Sequence, residues 1–422
     1  MIKRSVFIDL KDHLSQKEIS LIVGPRQVGK TTLMLLLKEY LELRGDKTLF
    51  LSMDFEDNAK FFSSQENLLK KLQLEFGNNK GYVFLDEIQK KENAGLFLKG
   101  VYDKNLPYKF IVSGSGSVEL KEKVHESLAG RKLLFEVSPI SFFEFVNFKT
   151  DYRYENKLND FCSLEIEKVF VFLEDYMNFG GYPKVILSET MQEKTRTIDE
   201  IYRSYIEKDI SYLMRVEKLD AFGSLIKILA SQTGNILNYS ELANTLDISL
   251  PTVKNYIWYL EKTFIIKKVT PFFRNARKEI TKSPVVYFYD LGLRNYLMGN
   301  LGRVGETKEF GFLFQNFIFN SLNKIFKFSG AKINFWRTKE KAEVDFVASI
   351  GNKIVPIEVK YKEFKEPSIE RSMRSFIKKY HPLTALVINK NLEENIAIDK
   401  TKIIFLPFWK ARPKIFETYI GK

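Results

Sequence analysis

The segment EISLIVGPRQVGKTT, residues 18–32, joins a β-rich run to a glycine-rich loop. From Gly24 to Thr31 the loop fits G-x-x-x-x-G-K-[ST], a pattern whose backbone N–H groups surround phosphate oxygens. Lys30 would reach the β- and γ-phosphates of ATP, and the Thr31 hydroxyl would ligate Mg²⁺. The predicted nucleotide contacts are Gly24, Pro25, Arg26, Gln27, Val28, Gly29, Lys30, Thr31 and Thr32.

A second motif supplies the acidic groups that such a loop needs. The apolar run in KGYVFLDEIQK ends in Asp86 and Glu87. Asp86 would hold Mg²⁺ through water, and Glu87 would orient or deprotonate the attacking water. This pair favours ATP hydrolysis over ATP binding alone. A nucleotide-gated interaction module with little turnover is the alternative.

Three more polar residues are candidates for the same site. In YKFIVSGSGS, Ser113 or Ser115 would sense the γ-phosphate and position water, although an ordinary Ser/Gly turn explains the segment equally well. Arg131 precedes another apolar run and would act as a finger on the nucleotide of a neighbouring subunit, which requires a homo-oligomer. A structural salt bridge is the alternative for Arg131.

The elements that must position these residues follow an alternating pattern. Helix-like segments separate most of the predicted strands, which lie near 19–23, 47–53, 82–86, 109–113 and 132–137. This order predicts an α/β fold with a doubly wound parallel sheet. Because ligands of such sheets bind outside the carboxyl ends of the strands, Lys30, Asp86 and Ser113 are expected to meet there.

Composition excludes several classes of protein. The chain has 422 residues, 45% of them hydrophobic, and one cysteine, Cys162, which cannot form an internal disulfide. The longest stretch without a charge is 310–323, shorter than the ~18 apolar residues of a membrane span. Acidic residues interrupt the amino-terminal segment, so no signal peptide is indicated. We therefore expect a cytoplasmic protein without a membrane partner.

The net charge of +13 is concentrated toward the carboxyl terminus. Residues 1–150 carry +3, residues 151–250 carry −6 and residues 251–422 carry +16. A basic region of this kind is typical of a surface that binds a polyanion such as DNA. A lysine-rich solvated surface is the alternative explanation.

The segment NYSELANTLDISLPTVKNYIWYLEK predicts two short helices joined by a turn, with Ser249 as the cap of the second helix. In a helix-turn-helix, the outward residues near the start of that helix contact DNA. The following segment, KKVTPFFRNARKEI, would form a hairpin wing that contacts the DNA backbone. The predicted contacts are Thr252, Lys254, Asn255, Arg274, Arg277 and Lys278. A winged helix used only for protein packing is the alternative.

Near the carboxyl terminus, NFWRTKEKAEVDFVASIGNKIVPIEVKYK predicts three strands with a hairpin turn at Gly351-Asn352. Alternation along the third strand places Glu358 and Lys360 on one face, and Asp345 would lie opposite across the hairpin. Two carboxylates and a lysine could hold a second Mg²⁺ and activate water against a phosphodiester. A polar face used only for binding is the alternative.

Several motifs occur together along nearly the whole chain. They are GPRQVGKTT, VFLDEIQ, VSGSGS, LAGR, SPISFFEF, GGYP at 180–183, YIEKDI at 205–210, VYFYDLGL at 286–293 and EVDF followed by IEVK. With these motifs the chain resembles a bacterial and archaeal family of AAA+ ATPases with a carboxyl-terminal domain related to restriction-endonuclease-like folds.

The resemblance implies a P-loop AAA+ ATPase domain at 1–150, a helical lid at 151–220, a winged helix-turn-helix at 221–300 and an α/β restriction-endonuclease-like domain at 301–422. It does not imply a physiological substrate. One position departs from the family: Gln315 stands where the family usually has Glu. Glutamine forms hydrogen bonds but brings no charge to neutralise a metal ion, which weakens the case for nucleic-acid cleavage.

Overall fold

The computed structural model describes residues 2–115, 127–206, 218–275, 277, 279, 282–306, 309–327, 329–412, 416 and 418. These residues form two compact units: unit 1 comprises residues 1–148, 181–219 and 255–265, and unit 2 comprises residues 149–180, 220–254 and 266–422. The predicted lid is thus divided at the Gly180–Gly181 peptide. The other domain boundaries stay predictions.

Helices and strands mostly alternate up to residue 136, whereas the described elements between residues 142 and 262 are all helices. The strands are β1 (Ile19–Gly24), β2 (Thr48–Ser52), β3 (Gly81–Asp86), β4 (Tyr108–Ser115), β5 (Lys132–Glu136), β6 (Ile266–Val269), β7 (Val285–Phe288), β8 (Lys332–Arg337), β9 (Glu343–Ile350), β10 (Lys353–Val359), β11 (Thr384–Asn389), β12 (Glu394–Ile398) and β13 (Thr401–Pro407). The helices are α1 (Val6–Asp12), α2 (Lys30–Leu43), α3 (Glu56–Phe62), α4 (Gln65–Phe76), α5 (Ala94–Tyr102), α6 (Phe142–Lys149), α7 (Leu158–Leu164), α8 (Ile166–Phe179), α9 (Pro183–Leu187), α10 (Met191–Ser204), α11 (Leu219–Ser231), α12 (Tyr239–Leu246), α13 (Leu250–Lys262), α14 (Leu291–Leu297), α15 (Phe310–Phe326) and α16 (Arg371–Tyr380).

Unit 1 contains a five-stranded sheet in which every strand is parallel to its neighbours, in the order β2-β3-β4-β1-β5. The prediction of a parallel α/β sheet is confirmed. The chain leaves β1 toward β2 on one side, whereas it leaves β4 toward β5 on the other. A ligand crevice is therefore expected at the carboxyl ends of β1 and β4.

Helix α2 covers this sheet with one apolar face. Its residues Leu33, Leu37 and Leu41 recur every four positions, and all three are buried, as is Met34. This spacing places them on one side of the helix. Burial of that side fixes the start of α2 next to the end of β1.

The opposite, amino-terminal edge of the sheet holds a buried polar cluster. Lys109 Nζ donates to the carbonyl oxygens of Gln16 (2.9 Å) and Glu18 and to Nδ1 of His13 (3.1 Å). The Ser20 hydroxyl lies 2.8 Å from the same Nδ1. Burial, with a smaller effect of the Lys109 charge, lowers the pKa of His13 to about 4. Burial also lowers the pKa of Lys109 to about 7.

We expect protonation of His13 to lower the free energy of unfolding by about 3 kcal/mol as the pH drops from 6.5 to 4. The folded pKa of His13 lies below its unfolded value, so the stabilisation is complete above pH 6.5 and is lost as the pH falls through 4. Urea unfolding of wild type and His13→Gln across this range measures the effect. A difference between the two proteins that does not change with pH would contradict the assignment.

The predicted helix-turn-helix segment forms α12 and α13 with a turn between them, and it belongs to unit 2 up to Lys254 and to unit 1 from Asn255. The Ser249 hydroxyl accepts a hydrogen bond from the Thr252 amide at 3.2 Å, as expected of a cap. Strands β6 and β7 pair as an antiparallel two-stranded sheet. Arg274 and Arg277 lie between these strands, and Lys278 falls outside the described residues.

The remainder of unit 2 contains a six-stranded mixed sheet in the order β12-β13-β11-β10-β9-β8. Strands β9 and β10 form the predicted hairpin with Gly351-Asn352 at its turn, where Gly351 has a φ of 54°. A core that includes Trp336, Val347, Phe376 and Phe405 lies on this sheet. Within the described ranges, no helix has the length and apolar character to cross a bilayer.

Candidate functional site

The loop between β1 and α2 has a tight backbone conformation that depends on its glycines. A Cβ on Gly24 would come 2.1 Å from the carbonyl oxygen of Val137, so a side chain does not fit there. Gly29 has a φ of 90° and Gln27 a φ of 58°, both in the left-handed region. The loop is therefore tightly folded at the end of a buried strand, as a phosphate-binding loop requires.

Lys30 is the first residue of α2 and is buried. Its Nζ donates to the carbonyl oxygens of Gly24 at 3.1 Å and Pro25 at 2.8 Å. The ammonium group therefore lies directly beside the loop, at the positive end of a helix dipole. An anion bound there would meet a fixed positive charge.

Thr31 and Asp86 join the loop to the end of β3. The exposed Thr31 donates its hydroxyl proton to Asp86 Oδ2 at 2.9 Å, and the buried Ser113 hydroxyl donates to Asp86 Oδ1. Hydrogen bonds from Thr31, in the helix that follows β1, and from Ser113, in β4, thus fix the carboxylate of Asp86. Two oxygen ligand groups, Thr31 and Asp86, lie side by side.

Glu87 follows Asp86 in a left-handed conformation with a φ of 56°. Its backbone N–H donates to the Ser113 hydroxyl at 3.3 Å, and the Gln89 amide donates to its carboxylate. Burial raises the pKa of Glu87, Lys30 opposes this increase, and Asp86 adds to it. A carboxyl with a raised pKa next to a phosphate-type loop is suited to accept a proton.

The two candidate serines of β4 differ in their contacts. Ser113 uses its hydroxyl to position Asp86 and Glu87. Ser115 is also buried, and its backbone N–H donates to Gln89 at 3.0 Å, but its hydroxyl has no hydrogen-bond partner among the described residues. Both serines belong to a strand that runs through Ser115, and the rest of the VSGSGS motif falls outside the described residues.

A buried ion pair supports the loop from behind, and sequence reasoning did not find it. Arg4 donates to the carbonyl oxygens of Val28 at 3.0 Å and Ser138 at 2.5 Å, and it lies 3.7 Å from the carboxylate of Glu144. Glu144 also accepts from the backbone N–H groups of Ser5 at 2.7 Å and Ser141 at 2.8 Å. The only available signal was Glu144 inside the SPISFFEF motif.

The two glycines of the GGYP motif belong to different units. In unit 1, the Gly181 carbonyl accepts from Ile140 N–H at 2.7 Å, and a Cβ on Gly181 would come 2.3 Å from the Ile140 oxygen. Pro183 begins α9 and lies near the Gly29 position of the loop. In unit 2, a Cβ on Gly180 would come 2.3 Å from the carboxylate of Asp290. Both positions therefore require glycine.

Arg131 lies at the start of β5, whereas the other site candidates lie at the carboxyl ends of strands. It forms a bidentate ion pair with Asp103, with nitrogen–oxygen distances of 2.7 and 3.3 Å. This contact matches the structural salt bridge that was the alternative in the sequence. The structure contains one chain, so a role on a neighbouring subunit stays a prediction.

The predicted DNA contacts divide by exposure. Lys254, Asn255, Arg274 and Arg277 are exposed, whereas Thr252 is half-buried and its hydroxyl lies 2.7 Å from the Ser249 hydroxyl. The buried residues of α13 are Val253, Tyr256, Ile257 and Leu260.

The carboxyl-terminal candidates Asp345, Glu358 and Lys360 lie together. Asp345 accepts from the Gln315 amide at 2.7 Å and from the Val359 N–H at 2.7 Å. Burial and the nearby Glu358 carboxylate raise the pKa of Asp345 well above its usual value. Each oxygen of Asp345 therefore accepts one hydrogen bond from the protein.

Lys360 is shared between Glu358 at 2.9 Å and Glu370 at 2.7 Å. One oxygen of Glu358 is buried without a partner among the described residues and faces a cavity of about 80 Å³ that Ser368 and Phe364 also line. Among the described residues, no group of three or more His, Cys, Asp or Glu side chains is placed to hold a metal ion.

Comparison with protein-family models divides the chain into three parts. Residues 16–146 match the model of an AAA domain. Residues 16–146 are therefore similar to AAA domains, and they combine a parallel sheet with the glycine-rich loop that is typical of a P-loop fold. Residues 172–303 match a domain of unknown function (DUF8612), and residues 310–410 match another (DUF4143).

The similarity to other proteins extends beyond the residues that match the AAA domain model. An uncharacterized protein of Methanocaldococcus jannaschii is 26% identical over 418 residues, which are 95% of this chain and 90% of that protein. An uncharacterized protein of Mycobacterium tuberculosis is 25% identical over 376 residues, 88% of this chain and 76% of that protein. The solved Orc1 protein of Aeropyrum pernix in complex with DNA is 14% identical, with a TM-score of 0.32, covering 70% of this chain and 92% of that one.

Proposed function

We propose that the protein is a Mg²⁺-dependent ATPase whose site comprises Lys30, Thr31, Asp86 and Glu87. One observation carries the proposal: the hydroxyl of Thr31 contacts Asp86 directly, so the glycine-rich loop and the acidic strand end form one site. The buried Lys30 ammonium lies beside the same loop. This arrangement places phosphate-binding, metal-binding and proton-accepting groups together.

The donor set fits both ATP and Mg²⁺. Thr31 and Asp86 offer the hard oxygen ligands that Mg²⁺ prefers, and they would hold the ion. When bound, Mg²⁺ would neutralise charge on the β- and γ-phosphates. Lys30 would bind the same oxygens, and the loop from Gly24 to Thr32 would surround the phosphates with backbone N–H groups.

Glu87 would accept the proton of the attacking water. Ser113 and Gln89 fix its backbone and carboxylate, which limits the orientations that the carboxylate adopts. Ser113 is then a positioning residue. The free hydroxyl of the buried Ser115 favours that serine as the group that contacts the γ-phosphate or the water.

We propose that DNA is the partner of this ATPase. The support is the net charge of +16 over residues 251–422, which include most of helix α13 and exposed arginines. Cleavage at Asp345 and Glu358 receives less support, because the group that contacts Asp345 Oδ1 is the uncharged Gln315, which brings no charge to neutralise a metal ion. We therefore favour binding as the role of that cluster.

ATP turnover of wild type and Glu87→Gln, each with and without duplex DNA, tests the proposal. We expect Mg²⁺-dependent phosphate release that DNA alters and a loss of at least about 100-fold in the variant, with ATP binding retained. Tight ATP binding without any phosphate release would instead indicate a nucleotide-gated module.

A further inference from the structure

Helix α16 has an apolar face that is buried within unit 2. Met373, Phe376 and Ile377 are buried and belong to the core that packs on the six-stranded sheet. Their spacing places them on one side of the helix. The helix is therefore fixed against the sheet, and only its other side is available to a partner.

The opposite side of α16 is basic. Arg371, Arg374 and Lys378 are exposed, and at 3.6 residues per turn they lie within roughly 60° of arc and about 10 Å of helix length. We call these three residues the α16 basic face. The helix has no acidic residue, and within the described parts of the chain none of the three forms an ion pair.

Two further cations extend this surface at the end of the helix. Lys379 Nζ lies 5.3 Å from the ring centre of Tyr380 and 5.9 Å from that of Trp336. Arg274, one of the predicted wing residues, has its guanidinium 5.7 Å from the Tyr380 ring. These cation–π contacts restrain both charges while leaving Arg274 and Lys379 exposed.

The helix-turn-helix segment has a different charge. From Tyr239 to Lys262 it contains Glu241, Asp247 and Glu261 against Lys254 and Lys262, a net charge of −1. Helix α16 has a net charge of +4 over ten residues. Because affinity for DNA depends mainly on phosphate neutralisation, the basic helix is the better candidate for the main contact.

We propose that the α16 basic face binds the phosphate backbone of duplex DNA. The proposal rests on DNA being the partner of the ATPase, and it assigns the main contact to α16 rather than to α13. Arginine presents a planar fork that matches phosphate oxygens, and two of the three residues are arginines. Their close spacing would place all three beside consecutive phosphates.

Two other occupants fit the surface less well. A membrane-binding helix inserts its apolar side into lipid, but that side of α16 is buried in the core. A protein interface normally has an apolar centre, yet the outward residues of α16 are arginine, serine and lysine. Polar, positively charged surfaces are typical of DNA interfaces.

The test uses the full-length variant Arg371→Gln/Arg374→Gln/Lys378→Gln and a fluorescein-labelled duplex DNA across a KCl series. We expect an affinity loss of at least about 10-fold and a salt slope smaller by about 2.7, near 0.9 for each phosphate contact removed. Arg371→Lys/Arg374→Lys should keep the wild-type slope because it keeps the charge.

The matched control is Lys60→Gln/Lys70→Gln/Lys104→Gln, which removes the same charge from exposed positions of unit 1. It should bind DNA within about 3-fold of wild type. An equal loss in both triple variants, or a larger loss in Thr252→Ala/Lys254→Ala/Asn255→Ala, would overturn the assignment to α16.

Two measurements separate this proposal from the ATPase itself. Turnover without DNA should be unchanged in the α16 variant, and its thermal midpoint should match that of wild type because the three side chains are exposed. If wild type binds anionic lipid vesicles or an acidic protein but not duplex DNA, both the DNA partner and this surface assignment are wrong. ATP hydrolysis would remain a separate result.

Discussion

Lys30→Ala is expected to lower ATP turnover by at least about 100-fold and to weaken ATP binding. The ammonium lies beside the carbonyl oxygens of the loop, where it would neutralise charge on the β- and γ-phosphates. Removal of one such preorganised group from an active site costs about 10²–10³ in rate. Phosphate release and a calorimetric titration with ATP and Mg²⁺ measure the two effects.

Lys38→Ala is the control on the same helix. Lys38 is on the surface of α2 and pairs with Glu42 at 2.7 Å, so its removal should leave turnover within about 2-fold. Thermal unfolding of both variants checks that each is folded. Wild-type turnover in a folded Lys30→Ala protein would show that ATP is not hydrolysed at the proposed site.

Glu144→Ala is expected to lower the free energy of unfolding by about 3–5 kcal/mol, because it leaves the buried Arg4 without its counter-ion. The carboxylate also loses its hydrogen bonds from Ser5 and Ser141. Since Arg4 holds the Val28 carbonyl of the phosphate loop, the KM for ATP should rise as well. Urea unfolding and steady-state kinetics measure the two effects.

A double-mutant cycle isolates the ion pair. Arg4→Met and Glu144→Gln should each destabilise the protein, whereas the double variant should lose less than the sum, because no buried charge then remains unpaired. Glu39→Gln on the surface of α2 is a suitable control for loss of one negative charge. Strict additivity would show that the two side chains do not act as a unit.

The unit 1 sheet and the glycine-rich loop between β1 and α2 could be predicted because their signals are local. The pattern around Lys30 lies within fifteen residues, and an apolar strand ending in two acidic residues is readable without any partner. The hairpin that brings Asp345 near Glu358 was predictable for the same reason, since a Gly-Asn turn sets its register.

Other parts of the site depend on contacts between distant residues. Arg4 and Glu144 are 140 positions apart, and nothing in either segment indicates that they meet. The hydrogen bonds of Ser113 with Asp86 and Glu87 depend on the pairing of β3 with β4, which the sequence around the serines does not indicate. The Ser115 hydroxyl, in contrast, has no hydrogen-bond partner among the described residues. Charge counting located the basic region, but burial was needed to show which side of α16 is exposed.

The way in which the two units share the polypeptide has a consequence for biosynthesis. Unit 1 takes its last residues from 255–265, after two excursions of the chain into unit 2. During translation, the segment that begins with the phosphate loop therefore waits for more than a hundred further residues before its packing is complete. No single cut in the gene separates the two units, because each unit consists of three separate segments of the chain.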